Sequence, residues 1–159
     1  MEIEKVVGSG GRELEDFVLR APDSLLYAHP SYLDLITSHL NATPGWLVAR
    51  IGETITGALP FAHKDGDFGP VYNSLPFYGS NGGVVQANSD DQVKKTMIKE
   101  FFDYARRENA CSATIITNPL LKDHEVYENS IEGFLRDERI GQITHLPVDP
   151  DEALIKLFE

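Results

Sequence analysis

Residues 46–61 read WLVARIGETITGALPF, and this stretch decides the fold because its hydrophobic pattern has the period of strands. Residues 46–51 form an apolar run that suits a buried strand. In residues 54–61 the side chains alternate, as they do on a half-buried strand. Gly52 and Glu53 lie between the two runs and can form a two-residue turn with glycine first, the preference of a type II′ turn. The stretch therefore predicts an antiparallel hairpin.

A third strand is predicted to follow, so that residues 46 to about 73 form an antiparallel meander. Asp65 and Gly66 are a strong hairpin signal for a type I′ turn, which requires positive φ at both central residues. Pro60 has no N–H to donate to a ladder. We therefore expect the second strand to be interrupted at Pro60, or to lie at an edge or a bulge there.

Two helices are predicted before the meander, after a short strand at residues 1–7. Apolar side chains recur at helical spacing up to Pro22, and a second helix begins near Pro30, which suits a first helical position. The side chains predicted to face inward are Leu14, Phe17, Val18, Ala21, Leu33, Ile36 and Leu40.

The clearest helix follows the meander. Ser89 and Gln92 have the spacing of a capping box, and a wide apolar face extends from Val93 to Ala105. Asn109 can close this helix. Strands are then predicted at residues 113–117 and 142–148, with a loose helix within residues 120–135. The apolar side chains that suggest this loose helix are Val126, Ile131, Phe134 and Leu135.

The composition indicates one globular domain with an acidic surface. The chain has 159 residues, 25 acidic and 14 basic side chains, and a formal net charge of −11. Such a field repels phosphate backbones, so we expect no direct binding of nucleic acid. No segment resembles a signal peptide or a bilayer-spanning helix, so we expect a cytoplasmic protein without membrane contact. Cys111 is the single cysteine, and the apolar run after it predicts a buried, inert thiol.

A glycine-rich segment, residues 73–83, reads NSLPFYGSNGG. It is not a nucleotide-binding loop, because it has no lysine and is followed by Val84 and Val85 instead of a helix start. Two interpretations stay open. The glycines let a ligand approach main-chain N–H groups, or the segment is a surface loop between sheet elements.

Aromatic side chains surround the glycine-rich segment. Core packing explains Phe68 and Phe77, whereas the hydroxyl of Tyr72 or Tyr78 can contact a polar substrate.

Catalytic and metal-binding patterns are absent from the sequence. The histidines lack metal-ligand spacing, and no serine lies in a G-x-S-x-G elbow. Asp123 and Glu125, on either side of His124, could be a general acid and base. A solvated loop is the favoured interpretation of these charges.

A capped helix begins near the last residues. Asp149 can cap it, Pro150 suits its first position, and Glu152 completes the capping box. An apolar stripe follows at Leu154, Leu157 and Phe158. We expect residues 149–159 to start a linker helix towards a second domain, after a first domain of residues 1–148.

Several motifs follow one another in an informative order. Residues 25–32, LLYAHPSY, open a helix, and residues 46–50 (WLVAR) and 57–61 (GALPF) form the hairpin. Residues 73–77 (NSLPF) then precede Gly82 and Gly83. Over about the first 118 residues, this order resembles the N-terminal half of the Fem-type peptidoglycan-bridge aminoacyltransferases and of related GNAT acyltransferases.

The resemblance implies an α/β (α+β) fold, GNAT-like, with a mixed, mainly antiparallel sheet flanked by helices. It also implies that the chain is the first of two tandem GNAT-like domains, with the acceptor in the cleft between them. The donor in the complete enzyme would be acyl-CoA or an aminoacyl-tRNA. This chain lacks the GNAT loop [QR]-x-x-G-x-[GA] and has Asp34, Ile36 and Thr37, but no lysine, on its second helix. We therefore expect that the chain itself binds no cofactor.

Two hypotheses about function follow. In the first, the chain is the acceptor-side domain of an N-acyl or aminoacyl transferase, with a small amine as acceptor and a second GNAT-like domain or chain as partner. We expect no catalytic residue in this chain, and a substrate-binding surface formed by Tyr78, Ser80, Asn81, Gly82 and Gly83. In the second, it is a non-catalytic ligand-binding or interaction module, with a possible homodimer through residues 154–158.

Overall fold

A mixed sheet with helices on both faces forms the centre of the computed structural model, which describes residues 1–76, 79, 81–138, 147–152 and 155. The described elements are β1 (Glu2–Val7), α1 (Gly11–Arg20), a 3₁₀ turn (Leu26–Ala28), α2 (Pro30–Leu40), β2 (Thr43–Ile51), β3 (Thr54–Lys64), β4 (Val71–Ser74), β5 (Val85–Gln86), α3 (Asp91–Arg107), β6 (Ser112–Ile115) and α4 (His124–Glu128).

The strand order is β1-β2-β3-β4-β6, and β5 also pairs with β3. The pairs formed by β1 to β5 are antiparallel, whereas β4 and β6 are parallel. The predicted three-stranded meander is therefore confirmed. Parallel neighbouring strands need a crossover connection. The connection from β4 to β6 contains α3, which packs on one face of the sheet.

The core has two halves, one on each face of the sheet, and the interior strand β2 is buried on both faces. Trp46 and Val48 belong to one cluster with side chains of α1 and α2. Leu47 and Ala49 alternate with them and belong to a second cluster with side chains of α3. A strand covered on both sides needs the continuous apolar run that the sequence has here.

The two hairpin predictions have different outcomes. Ile51 pairs with Thr54 across the tight turn, where Gly52 has φ 60°. The predicted type I′ turn at Asp65–Gly66 is wrong, because the β3–β4 connection spans residues 65–70. In this loop Gly66 is not among the glycines with positive φ, while Gly69 has φ 116°. A hydrogen bond of 3.0 Å from the Gly69 N–H to the Gly66 carbonyl closes a longer turn.

Pro60 does not interrupt β3, which continues from Thr54 to Lys64. Along the edge that faces away from β2, β5 pairs with residues 57–58 and β4 with residues 62–64. Pro60 lies in the gap between these two partners in the described ladder. Its missing N–H therefore need not break the strand.

The predicted helices exist, but one cap is different. Pro30 is the first residue of α2, and Asn109 ends α3 with φ 55°. The cap of α3 is Asp90 and not Ser89, because the Asp90 carboxylate accepts hydrogen bonds from the N–H groups of Gln92 and Val93 at 2.8 and 3.2 Å. Asp90 thereby satisfies two donors that the first helical turn leaves free.

The C-terminal predictions are partly wrong. Within residues 120–135, the helical residues are the five of α4, and Phe134 and Leu135 are exposed. Most of the predicted last strand lies outside the described residues, and Pro147 and Val148 are not in a strand. Asp149 does cap a helical turn, accepting from the N–H groups of residues 151 and 152. The stripe Leu154, Leu157 and Phe158 lies outside the described residues.

Two burial predictions are wrong. Cys111 is exposed, because it precedes β6 at the sheet end, where its N–H bonds to the carbonyl of Pro70. Phe68 is 94% exposed at the tip of the 65–70 loop. Tyr72, by contrast, is 2% exposed and packs in the core against Phe61, so its predicted contact with a substrate is not supported. Among the described residues, no helix has the length and apolar character needed to cross a membrane.

Candidate functional site

The space outside the carboxyl ends of the parallel strands β4 and β6, which we name the crevice, is where we look for a ligand site. In sheets with parallel strands, ligands bind outside the carboxyl ends of the strands. Here Ser74 pairs with Ile115, and the Ile116 N–H donates to the Ser74 carbonyl at 2.8 Å. Just beyond this point the chain returns as residues 81–87, which we name the strap, and lies against both strand ends.

The first residues of the strap bond to the chain after β6. The Gly82 N–H donates to the carbonyl of Ile116 at 2.6 Å. The side-chain amide of Asn81 donates to the carbonyl of Thr117 at 3.1 Å. The strap therefore occupies two carbonyl groups just beyond the end of β6.

The next two residues bond to β4 and α4. The Gly83 N–H donates to the hydroxyl of Ser74 at 2.9 Å, and the Val84 N–H donates to the hydroxyl of Tyr127 at 3.0 Å. Ser74 is fully buried. Three successive main-chain N–H groups of the strap are thus satisfied within the protein.

Glycine is required at two strap positions because the neighbours are so close. A Cβ atom at Gly82 would lie 2.4 Å from the Ser74 hydroxyl oxygen and 2.5 Å from its carbonyl carbon. Gly83 has φ 94°, and a Cβ atom there would lie 2.5 Å from the Tyr127 hydroxyl oxygen. The glycines therefore permit tight packing of the strap on β4 and α4.

The predicted substrate-binding residues fall into two groups. Tyr78 and Ser80 lie outside the described residues. Asn81, Gly82 and Gly83 lie together in the strap, at the carboxyl ends of the parallel strands. Their contact with a substrate stays a prediction.

A carboxylate that the sequence analysis did not single out lies beside the strap. Asp23, in the connection between α1 and α2, accepts a hydrogen bond of 3.0 Å from the Gln86 N–H. Its own carbonyl accepts from the side-chain amide of Asn118 at 3.0 Å. These groups adjoin a cavity of about 10 Å³, lined by Asp23, Leu25, Ala28, Asn81, Gly82, Val84, Val85 and Asn118. This volume is about that of one water molecule.

A buried ion pair connects α3 to α4. The Lys94 ammonium lies 2.5 Å from a carboxylate oxygen of Asp123, and the two side chains are 5% and 15% exposed. The expectation that Asp123 lies on a solvated loop is therefore wrong. A buried lysine on the first turns of α3 requires a carboxylate partner, which the chain before α4 supplies.

Tyr127 is the second group that sequence reasoning missed. Burial raises the pKa of its phenol, and the nearby negative charges of Asp123 and Asp23 raise it further, against the opposing effect of the Val84 N–H. Tyr127 therefore stays a neutral phenol that can hold the strap. The sequence offers one indication that this segment has an inward face, the helical spacing of Val126, Tyr127 and Ile131.

Burial raises the pKa of Asp23 above its ordinary value of 3.8, although the Gln86 N–H and Lys94 act in the opposite direction. From 3.8 up to the raised pKa, the folded chain therefore holds more protons than the unfolded chain, and the Asp23 contribution to stability falls as pH rises.

Asp23→Asn should remove this pH dependence, because an amide oxygen can still accept from Gln86 but cannot ionise. We expect the variant to match the wild type in acid and to become more stable than it as pH rises from about 3.5 to 7. Urea unfolding of both proteins across this range measures the difference. A difference that does not change with pH would contradict the expected effect.

Among the described residues, no three histidine, cysteine, aspartate or glutamate side chains are arranged to hold a metal ion. No protein-family model matches the sequence, and no curated protein matches it.

Solved structures do match the fold. One is described as a probable acetyltransferase, with 16% identity, a TM-score of 0.54 and coverage of 94% of this chain and 99% of that chain. Another is the ribosomal-protein-alanine N-acetyltransferase from Brucella melitensis biovar Abortus 2308, with 12% identity, a TM-score of 0.56 and coverage of 90% and 100%. The chain therefore has the α/β fold of the GNAT-type acetyltransferases, with the mixed, mainly antiparallel sheet flanked by helices that the resemblance implied.

Proposed function

We propose that this chain is the acceptor-side domain of a transferase that moves an acyl or aminoacyl group to an amine. The fold supports acyl transfer, since one solved structure with this fold is, by its name, an N-acetyltransferase acting on an alanine of a ribosomal protein. The observation that carries the acceptor-side role is the strap, whose N–H groups at residues 82–84 bond within the chain at the ends of the parallel strands. Beside it, Asp23 offers a carboxylate to an amine.

Coenzyme A, the donor that the fold implies, does not fit these residues. Its pyrophosphate would need free N–H groups at the start of a helix. At α3 the N–H groups of Gln92 and Val93 already bond to the Asp90 carboxylate, and Asp91 adds a second negative charge. We therefore assign the activated acyl group, whether carried by coenzyme A or by tRNA, to a second GNAT-like domain or chain beyond the domain of residues 1–148.

The chemistry that remains for this domain is to position the amine. In the transfer, a bond forms between the amine nitrogen and the acyl carbon, the bond from that carbon to its carrier breaks, and the nitrogen loses one proton. Holding the two partners in the right geometry supplies much of the acceleration. Asp23 is suited to hold the amine through its carboxylate, and the proton passes to the departing carrier or to water, so this domain needs no catalytic base.

The test compares the isolated chain with the full-length natural gene product. Each is incubated with acetyl-coenzyme A and a panel of primary amines, and the amide product is measured by mass spectrometry. We expect amide from the full-length protein and none from the isolated chain. Turnover by the isolated chain would contradict the acceptor-side role.

A non-catalytic ligand-binding or interaction module is the second candidate. The same closed strap agrees with it, because a fold can keep binding surfaces without carrying out the reaction of its relatives. This candidate replaces the first if the full-length protein forms no amide from any donor and the isolated chain binds a small ligand.

A further inference from the structure

Asp23, beside the strap, accepts a hydrogen bond from the Gln86 N–H but forms no ion pair of its own among the described residues. Asp23 interacts electrostatically with both Lys94 and Asp123. The Lys94 ammonium is already paired with Asp123 at 2.5 Å. Among the described residues, no lysine, arginine or histidine forms an ion pair with Asp23. The two carboxylates and one ammonium therefore leave one charge that a cation can balance.

The cavity beside Asp23 has the right size for a small cation. Its volume of about 10 Å³ is close to that of one water molecule, and an ammonium group is of similar size. Asp23 is half-buried. Taking a carboxylate out of water is costly unless a positive partner or hydrogen-bond donors compensate it, and an ammonium supplies both.

Asn81 lines the same cavity and carries a second acceptor, its side-chain amide oxygen. Asn81 donates its amide N–H to Thr117, and no described residue donates to its amide oxygen. The rest of the lining includes three apolar residues, Leu25, Ala28 and Val84. Apolar neighbours of this kind suit the carbon atom that is bonded to the nitrogen of a primary amine.

We propose that Asp23 and Asn81 bind the ammonium group of a primary amine, and that this cavity is the subsite for the acceptor. The assignment of the amine as acceptor rests on the proposed function, whereas the binding of an ammonium group does not. Quaternary ammonium ions are excluded by size and by their lack of N–H donors.

The test uses the ¹⁵N-labelled chain and methylammonium chloride as the probe. The backbone amide of Gln86, which donates to Asp23, reports on the carboxylate. We expect a saturable shift of this amide with methylammonium and none with tetramethylammonium chloride at equal ionic strength. Equal shifts with both salts would overturn the proposal.

The matched variants are Asp23→Asn and Asp67→Asn, the second at an exposed carboxylate far along the chain. Asp23→Asn should weaken methylammonium binding about tenfold or more, because a charge-assisted hydrogen bond is lost. Asp67→Asn should leave it unchanged. Unaltered affinity in a folded Asp23→Asn protein would overturn the site.

The two proposals fail separately. If methylammonium binds through Asp23 but the full-length protein transfers no acyl group, the subsite stands and the proposed function is wrong. If the full-length protein acylates amines and Asp23→Asn leaves its KM for the amine unchanged, the function stands and the subsite is wrong.

Discussion

Gly82→Ala is expected to lower the free energy of unfolding by about 3 kcal/mol, at the upper end of the cost of overpacking. The added Cβ would lie 2.4 to 2.6 Å from three atoms of Ser74, two of them in the backbone. Ser74 is fully buried and is held in the ladder between β4 and β6, so it cannot give way cheaply. The strap must therefore move away from the strand ends. Chemical denaturation measures the loss.

Gly66→Ala is the matched control. Gly66 also lacks a positive φ, and a Cβ there would lie 3.4 Å from its nearest neighbour, the Gly69 carbonyl oxygen, in ordinary contact. We expect this variant to change stability by less than about 1 kcal/mol. Equal stabilities of the two variants would mean that the strap does not pack against Ser74.

Lys94→Met is expected to cost about 3 kcal/mol at neutral pH, the lower end for breaking a buried ion pair. Methionine fills similar space but leaves the carboxylate of Asp123, which is 15% exposed, without its ammonium. The change should destabilise α4, which begins next to Asp123 and carries Tyr127. The hydrogen bond from the Val84 N–H of the strap to the Tyr127 hydroxyl should therefore weaken as well. Thermal and urea unfolding measure the change.

Two further variants measure the contribution of the Lys94–Asp123 ion pair to stability. Lys99→Met makes the same change on an exposed face of α3 and should be nearly neutral. The double variant Lys94→Met, Asp123→Asn should recover part of the lost stability, because residue 123 then no longer carries an unpaired charge. If the double variant loses as much unfolding free energy as the two single variants together, Lys94 and Asp123 do not interact directly.

Local patterns in the sequence are sufficient for the meander of β2, β3 and β4 and for the long helices. Residues 46–61 specify a hairpin because apolar runs and a glycine turn lie next to each other in the chain. The apolar face of α3 repeats every three to four residues, and five of its members are buried. Cys111 and Phe68 were misjudged because their exposure depends on where the sheet ends, which a local apolar pattern does not specify.

The candidate site was only partly predictable, since its contacts join distant segments. The glycine density of the strap drew attention to Asn81, Gly82 and Gly83. The groups that surround the strap are linked by contacts across 63 residues for Asp23 and Gln86, 29 for Lys94 and Asp123, and 43 for Val84 and Tyr127. No periodicity spans such separations, so the sequence alone predicts a surface charge at Asp123.

The most direct test of the account follows the amide signals of Gly82, Gly83 and Val84 in the ¹⁵N-labelled chain as acetyl-coenzyme A is added. If the strap closes the crevice at the ends of β4 and β6, these amides are protected from hydrogen exchange and their signals do not move. Rapid exchange of all three amides, or saturable shifts on addition of acetyl-coenzyme A, would mean that the crevice is open to the donor and that the acceptor-side role is wrong.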